Sequence, residues 1–171
     1  IDMYNEDEEI KAFSGEPVII AAYTFGKLQK KFFMRDKSNW LETANEAMRQ
    51  CVTLLIGTYK AVETNFFAAM IYLDQMATFN EEEQQHYMRQ VLEIEQMFVS
   101  WSSGCEANFL HKLLMLKAEI ARYKGDIMLA TSHYEKAIES SARHGYLQYE
   151  GLANELCAEM LYSIHKDRYA R

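Results

Sequence analysis

Proline occurs once and glycine seven times in this 171-residue chain. An all-β sandwich needs a turn every ~8–12 residues, so breakers this scarce exclude it. Pro, Gly and Ser are too rare for a disordered linker. The uncharged apolar stretch from Thr64 to Leu73 is about half of the ~20 residues that a membrane-spanning helix requires. No charged n-region followed by an apolar h-region opens the chain, which starts at Ile1 and is taken as a fragment or processed product. Cysteine occurs three times, at Cys51, Cys105 and Cys157, and no Asn-x-Ser/Thr acceptor is present. An odd, widely spaced set of thiols fits a reducing compartment, and a cytoplasmic location is expected. What is abundant instead is Ala, Leu, Met, Glu, Gln and Lys, residues that lose little rotamer freedom in helices. The length suits one domain with a sizeable core.

The net charge of −7 is unevenly spread. Residues 1–16 carry Asp2, Glu6, Asp7, Glu8, Glu9 and Glu16 against Lys11, and are expected to form a flexible acidic leader. Lys27, Lys30, Lys31, Arg35 and Lys37 then reverse the sign against Asp36 alone. Their spacing places most of them on one solvated helix face. The pI near 5.3 argues against a nucleic-acid partner, whose binding rests on neutralising phosphates.

Apolar periodicity predicts about seven helices. Pro17 suits a first helical turn, and Ile20, Ala21, Phe25, Leu28, Phe32 and Phe33 recur at helical spacing. Ser38 reads as the N-cap of a second helix, whose stripe runs from Leu41 to Leu55. A third is expected over 60–78, with Phe66, Ala69, Met70 and Leu73 inward. Asn80 followed by Glu81, Glu82 and Glu83 marks a fourth start, with a stripe of Tyr87, Val91, Ile94, Phe98 and Trp101. Ser102-Ser103-Gly104-Cys105 reads as the clearest loop. Further helices are expected over 106–124, up to His144, and over 147–165, separated by Gly125-Asp126 and Gly145.

Turns near 36, 79, 125 and 166 recur at intervals of about 41–46 residues, two helices to each, the mark of an α-solenoid. Around Gly125, small or aromatic residues stand where two antiparallel helices need them: Ala118, Ala130, Tyr134 and Ala137. This set resembles a tetratricopeptide repeat, departing from it at Ala121 and Ala142, where the repeat carries tyrosine and proline. The expected fold is all-α, with antiparallel helix pairs stacked as a tetratricopeptide-like α-solenoid over 17–171.

A more particular resemblance runs through Asn108-Phe109-Leu110-His111-Lys112, Ala118-Glu119-Ile120-Ala121, Gly125-Asp126, Tyr134-Glu135-Lys136-Ala137-Ile138, His144-Gly145-Tyr146 and 150–156. These strings look like the helical region of large multidomain sensor histidine kinases of fungi and bacteria. In that family a protein-kinase-like domain and an AAA-type ATPase precede the helices, and a GAF domain and the kinase core follow. The resemblance implies a regulatory segment of a cytoplasmic phosphorelay sensor, without catalytic activity in this piece of the chain. The other reading is an independent adaptor that captures a peptide or a partner enzyme.

Residues for catalysis or cofactor binding do not assemble into motifs. Neither G-x-G-x-x-G nor a Walker sequence is present, and Gly26-Lys27 leads into Leu28. Pro17 precedes every histidine, so the proline that normally follows a phosphoacceptor histidine is missing. Glu83 and His86 form the sole Glu-x-x-His, where a di-iron bundle needs two, so no metal is expected. His111 is read as packing or capping near the fifth helix start. Cys105, beside a helix start whose amides favour thiolate, is a redox candidate, although no resolving cysteine neighbours it.

The expected activity is therefore recognition. With Gly125 in its repeat position, Lys112, Met115, Glu119, Arg122 and Tyr123 fall on the concave face and are the candidate partner-binding residues. The seventh helix lacks a pairing mate, so continuation into a parent chain or self-association through this end is expected.

Overall fold

The computed structural model describes Phe13 and residues 15–169, with side chains up to His165; the acidic leader before Phe13 lies outside the described residues. The described residues form seven α-helices and no strand. They fall into two compact units, the first ending at Gln75 and the second beginning at Met76.

The first unit holds α1 (Pro17–Phe33), α2 (Trp40–Leu54) and α3 (Tyr59–Gln75), each packed on the other two. Pro17 occupies the first turn of α1, where its missing N–H costs nothing. Phe32 joins the three helices: its ring lies 4.9 Å from Phe67 and is stacked 6.0 Å from Trp40. Small residues on the facing stripes, Ala21, Ala44 and Ala47, are fully buried and let the backbones approach. The run from Thr64 to Leu73 is buried on every face of α3, as a helix apolar all round must be. Two polar contacts tie the helices together: Tyr72 donates to the half-buried Asn45 Oδ1 at 2.9 Å, and the buried Cys51 Sγ donates to the Ala21 carbonyl at 3.1 Å.

The connection from α1 to α2 corrects one expectation. Ser38 is not the N-cap; Asn39 is, in a left-handed conformation, with no side-chain cap bond. The Ser38 hydroxyl is drawn away by Asp36, to which it donates at 2.5 Å, while Lys31 Nζ reaches Asp36 at 3.0 Å and the Ser38 carbonyl at 2.6 Å. The Ser38 hydroxyl and then Lys31 hold the Asp36 carboxyl down at about 2. Lys37 pairs with Asp74 at 2.8 Å and lies 5.3 Å over the Trp40 ring. Two bases of the basic cluster thus serve the fold.

The second unit opens with a 3-10 turn (Met76–Thr78), followed by α4 (Glu81–Gly104), α5 (Glu106–Tyr123), α6 (Ile127–His144) and α7 (Leu147–Tyr169). Each helix packs on the next, and α5 also touches α7. Asn80 and Glu83 form a capping box: Asn80 Oδ1 accepts from the Glu83 amide at 2.9 Å, and the Glu83 carboxylate accepts from the Asn80 amide at 3.0 Å.

The expected loop at 102–105 is helical up to Gly104, and Cys105 alone separates α4 from α5. Ser103 turns its hydroxyl onto the Ser100 carbonyl at 2.7 Å, which keeps it inside the helix. The turn expected near 166 is likewise absent: α7 continues to Tyr169, and residues 152–169 hold no glycine or proline. Gly125 and Gly145 do end their helices, both at positive φ; the Tyr146 amide then closes back on the Ser141 carbonyl at 2.9 Å.

Candidate functional site

The candidate partner-binding residues expected from sequence all lie on α5, so the surroundings of that helix decide what each can do. Glu119, near the end of α5, meets Tyr134 on the first half of α6. At the other end, His144 of α6 bears electrostatically on His111 of α5, so the two helices run antiparallel. Ala118, Ala130, Tyr134 and Ala137 are fully buried along this pair.

Lys112, Met115 and Glu119 are buried, Arg122 is half-buried, and Tyr123 is exposed. The α5 face carrying the first three turns inward rather than outward. Glu119 accepts a hydrogen bond from the buried Tyr134 hydroxyl, and Arg122 Nη1 lies 3.4 Å from the same carboxylate oxygen. Burial, with the Glu119 charge second, raises the Tyr134 phenol far above its ordinary range. This network ties α6 to α5 within the core.

At the opposite end of α5, His111 is fully buried, with its ring stacked 4.4 Å from Tyr146 and 5.0 Å from Tyr149. Lys112 Nζ lies 3.0 Å from His111 Nε2 and 4.0 Å over the Tyr149 ring. Tyr146 donates to Asn108 Oδ1 at 2.8 Å. Burial first, then the charges of Lys112 and His144, hold the His111 imidazole down at about 3. The strings around Asn108, His111 and Tyr146, far apart in sequence, thus meet at one corner of the second unit. The sequence left His111 in packing or capping; it packs, against Tyr146 and Tyr149, which the sequence did not join to it. Antiparallel register about Gly125 was the available signal.

Tyr123 faces an open groove of about 440 Å³ lined by Glu81, Gln84, Gln85, Met88, Arg89 and Leu92 of α4. Its hydroxyl lies 3.4 Å from Gln84 Oε1. The α4 residues were not singled out from sequence, since the face reads as a solvated stripe; Met88 and Leu92, one helical turn apart, were the signal that it is not purely polar. Such a surface can hold an extended or helical segment through a Tyr, a Met, a Leu and an Arg, the mix that dominates interface hot spots.

Cys105 is half-buried at the start of α5, Cys51 is buried, and Cys157 is half-buried; all three thiols are free. Burial raises the Cys51 and Cys157 thiols above their ordinary range. The Glu83 carboxylate is engaged in its capping box, and His86 Nε2 contacts Gln90 at 2.7 Å. Among the described residues no group of three or more His, Cys, Asp or Glu side chains is placed to hold a metal ion, and no helix is long and apolar enough to cross a membrane. No family model, curated protein or solved structure matches this chain.

Proposed function

We propose that this chain is a non-catalytic helical scaffold that binds a protein segment, and that it serves as a regulatory portion of a cytoplasmic phosphorelay sensor kinase. The observation that carries the scaffold reading is the contrast on α5. Its buried polar groups are consumed in holding α6 and α7, while Tyr123 at its end opens onto the groove along α4. A stacked tetratricopeptide-like arrangement is supported by the fully buried Ala118, Ala130, Tyr134 and Ala137, by Gly125 at positive φ, and by α5 touching both α6 and α7. The sensor-kinase placement rests on the strings between Asn108 and Leu156 alone. Those strings supply part of the α5–α6–α7 packing.

A photo-crosslinking residue at Gln85, in the groove, compared with one at Glu139, an exposed position on α6, tests the scaffold. Crosslinks to a partner at Gln85 that disappear with Tyr123→Ala and Leu92→Glu are expected; equal yields at both positions would reject the groove. The parent reading frame tests the kinase placement. It is expected to continue into a GAF domain and a histidine-kinase core, and a stop codon directly after Arg171 would reject it.

A further inference from the structure

The polar corner at the start of α5 has no part in the groove, yet it buries a histidine beside a lysine. His111 is fully buried and flanked by Tyr146 from the α6–α7 connection and Tyr149 from α7. Its Nε2 lies 3.0 Å from the Lys112 ammonium, which has donors only, so Nε2 accepts and the single ring proton sits on Nδ1. Nδ1 is itself buried without a hydrogen-bond partner. The charged groups acting on the ring are Lys112 from its own helix and His144 from the end of α6, both of them bases. Tyr146 and Tyr149 add uncharged rings against it.

We infer that this corner is an acid-sensitive latch: protonation of His111 in the opened state releases the Tyr146–Tyr149 end of α7 from α5. The imidazolium has no acceptor at Nε2, because the atom facing it is another cation's nitrogen at hydrogen-bond distance. Closing the corner on a protonated ring brings two buried positive charges together, so the closed form excludes the proton and the open form takes it up. The part that moves is short. Gly145 already holds a left-handed turn, and Tyr146 is only half-buried. The attachments include the ring stack, the Tyr146–Asn108 hydrogen bond and the Lys112–Tyr149 cation–π contact. Acidification would then free the first turn of the last helix while the Glu119–Tyr134 network keeps α5 and α6 together.

Opening breaks the amide bonds of Tyr149 and Glu150 to the Tyr146 carbonyl and of Tyr146 to the Ser141 carbonyl, so hydrogen exchange at these amides reads the latch directly. With an ordinary histidine in the open state, lowering the pH from 7.5 to 5.5 raises the opening equilibrium about tenfold after correction for intrinsic exchange. The full chain is compared with His111→Gln, which keeps an acceptor for Lys112 without taking up a proton. The expected result is the tenfold change at these three amides in the native protein and its loss in the variant. A pH-independent equilibrium in the native protein, or an unchanged tenfold response in the variant, would overturn the latch. So would protection at these amides equal to that at central α5 amides, which would mean global unfolding alone. Should the variant fail to fold, the imidazole NMR signals of the native protein decide: a His111 ring that stays neutral at pH 5 while those amides lose protection supports the latch, and a ring that titrates near 6.5 in the closed form rejects it.

Discussion

Glu119 and Tyr134 set the terms at the residue scale. A buried carboxylate costs several kcal/mol unless hydrogen bonds satisfy it, and the Tyr134 hydroxyl is one of the groups that do so. Tyr134→Phe keeps the ring and deletes only that donor, so it is expected to destabilise the protein by about 1–3 kcal/mol in urea unfolding. A loss below a few tenths would mean that the hydroxyl is dispensable. His111 supplies the second residue-level prediction. Its folded value of about 3 lies below the ordinary 6.5, so the unfolded chain binds the proton first as pH falls. Stability is complete above pH 6.5 and declines between 6.5 and about 3, at up to about 1.4 kcal/mol per pH unit. The depressed His133 adds to the same slope, and the lowered Asp36 acts in the same direction only at more acid pH. Denaturant midpoints measured from pH 7.5 to 5 should show the decline, and His111→Gln should flatten most of it. These groups were partly legible in the sequence. Tyr134 and Glu119 stood in recognised strings, but helical spacing does not tell which face of α5 is covered, and Lys112, Met115 and Glu119 were therefore expected outside.

Glycine position separates two behaviours at the scale of the element. Gly145 ends α6 at φ 77°. A Cβ there meets nothing within 4 Å, so the cost of Gly145→Ala is backbone strain alone, about 1 kcal/mol. Gly151 lies inside α7 at ordinary helical angles, also with open space around the added Cβ. Gly151→Ala is expected to stabilise by about 0.5–1 kcal/mol, because alanine loses less backbone entropy in a helix. Thermal melts of the two variants should move in opposite directions, and shifts of the same sign would contradict this account. The α4 cap gives a companion test: Asn80→Ala removes the acceptor for the Glu83 amide and should cost about 1 kcal/mol. Helix starts and stops written in such residues, Pro17, Asn80, Gly125 and Gly145, were readable in the sequence. Ser38 and Ser102-Ser103-Gly104 misled for one reason. A serine hydroxyl caps, turns or folds back onto its own helix depending on which acceptor is nearest, and Asp36 and the Ser100 carbonyl supplied those acceptors.

For the whole molecule, the division between Gln75 and Met76 bears on which part can stand alone. The second unit contains its own continuous core: Val91, Ile94 and Phe98 of α4, Leu113, Met115 and Leu116 of α5, Ala130 and Tyr134 of α6, and Leu152, Leu156 and Met160 of α7 are all buried. It also contains both buried polar networks and the α4 groove. A chain of roughly a hundred residues with a continuous core is within the size at which domains fold unaided. The helix sequence along the chain announced none of this, because periodicity describes each helix and its stripe but not where burial is interrupted between successive helices. The fragment from Met76 to Arg171 is therefore expected to fold on its own. Its far-ultraviolet dichroism should be helical, and its urea transition single and cooperative, with a slope of roughly 1–3 kcal/mol per molar. Its α5 amides should be protected as they are in the full chain, and the Gln85 crosslinking position should keep its yield, since every residue lining the groove is retained. A fragment that is helical yet unfolds without a cooperative transition would show that the core of this unit is not sufficient, and the groove could then not be assigned to it alone.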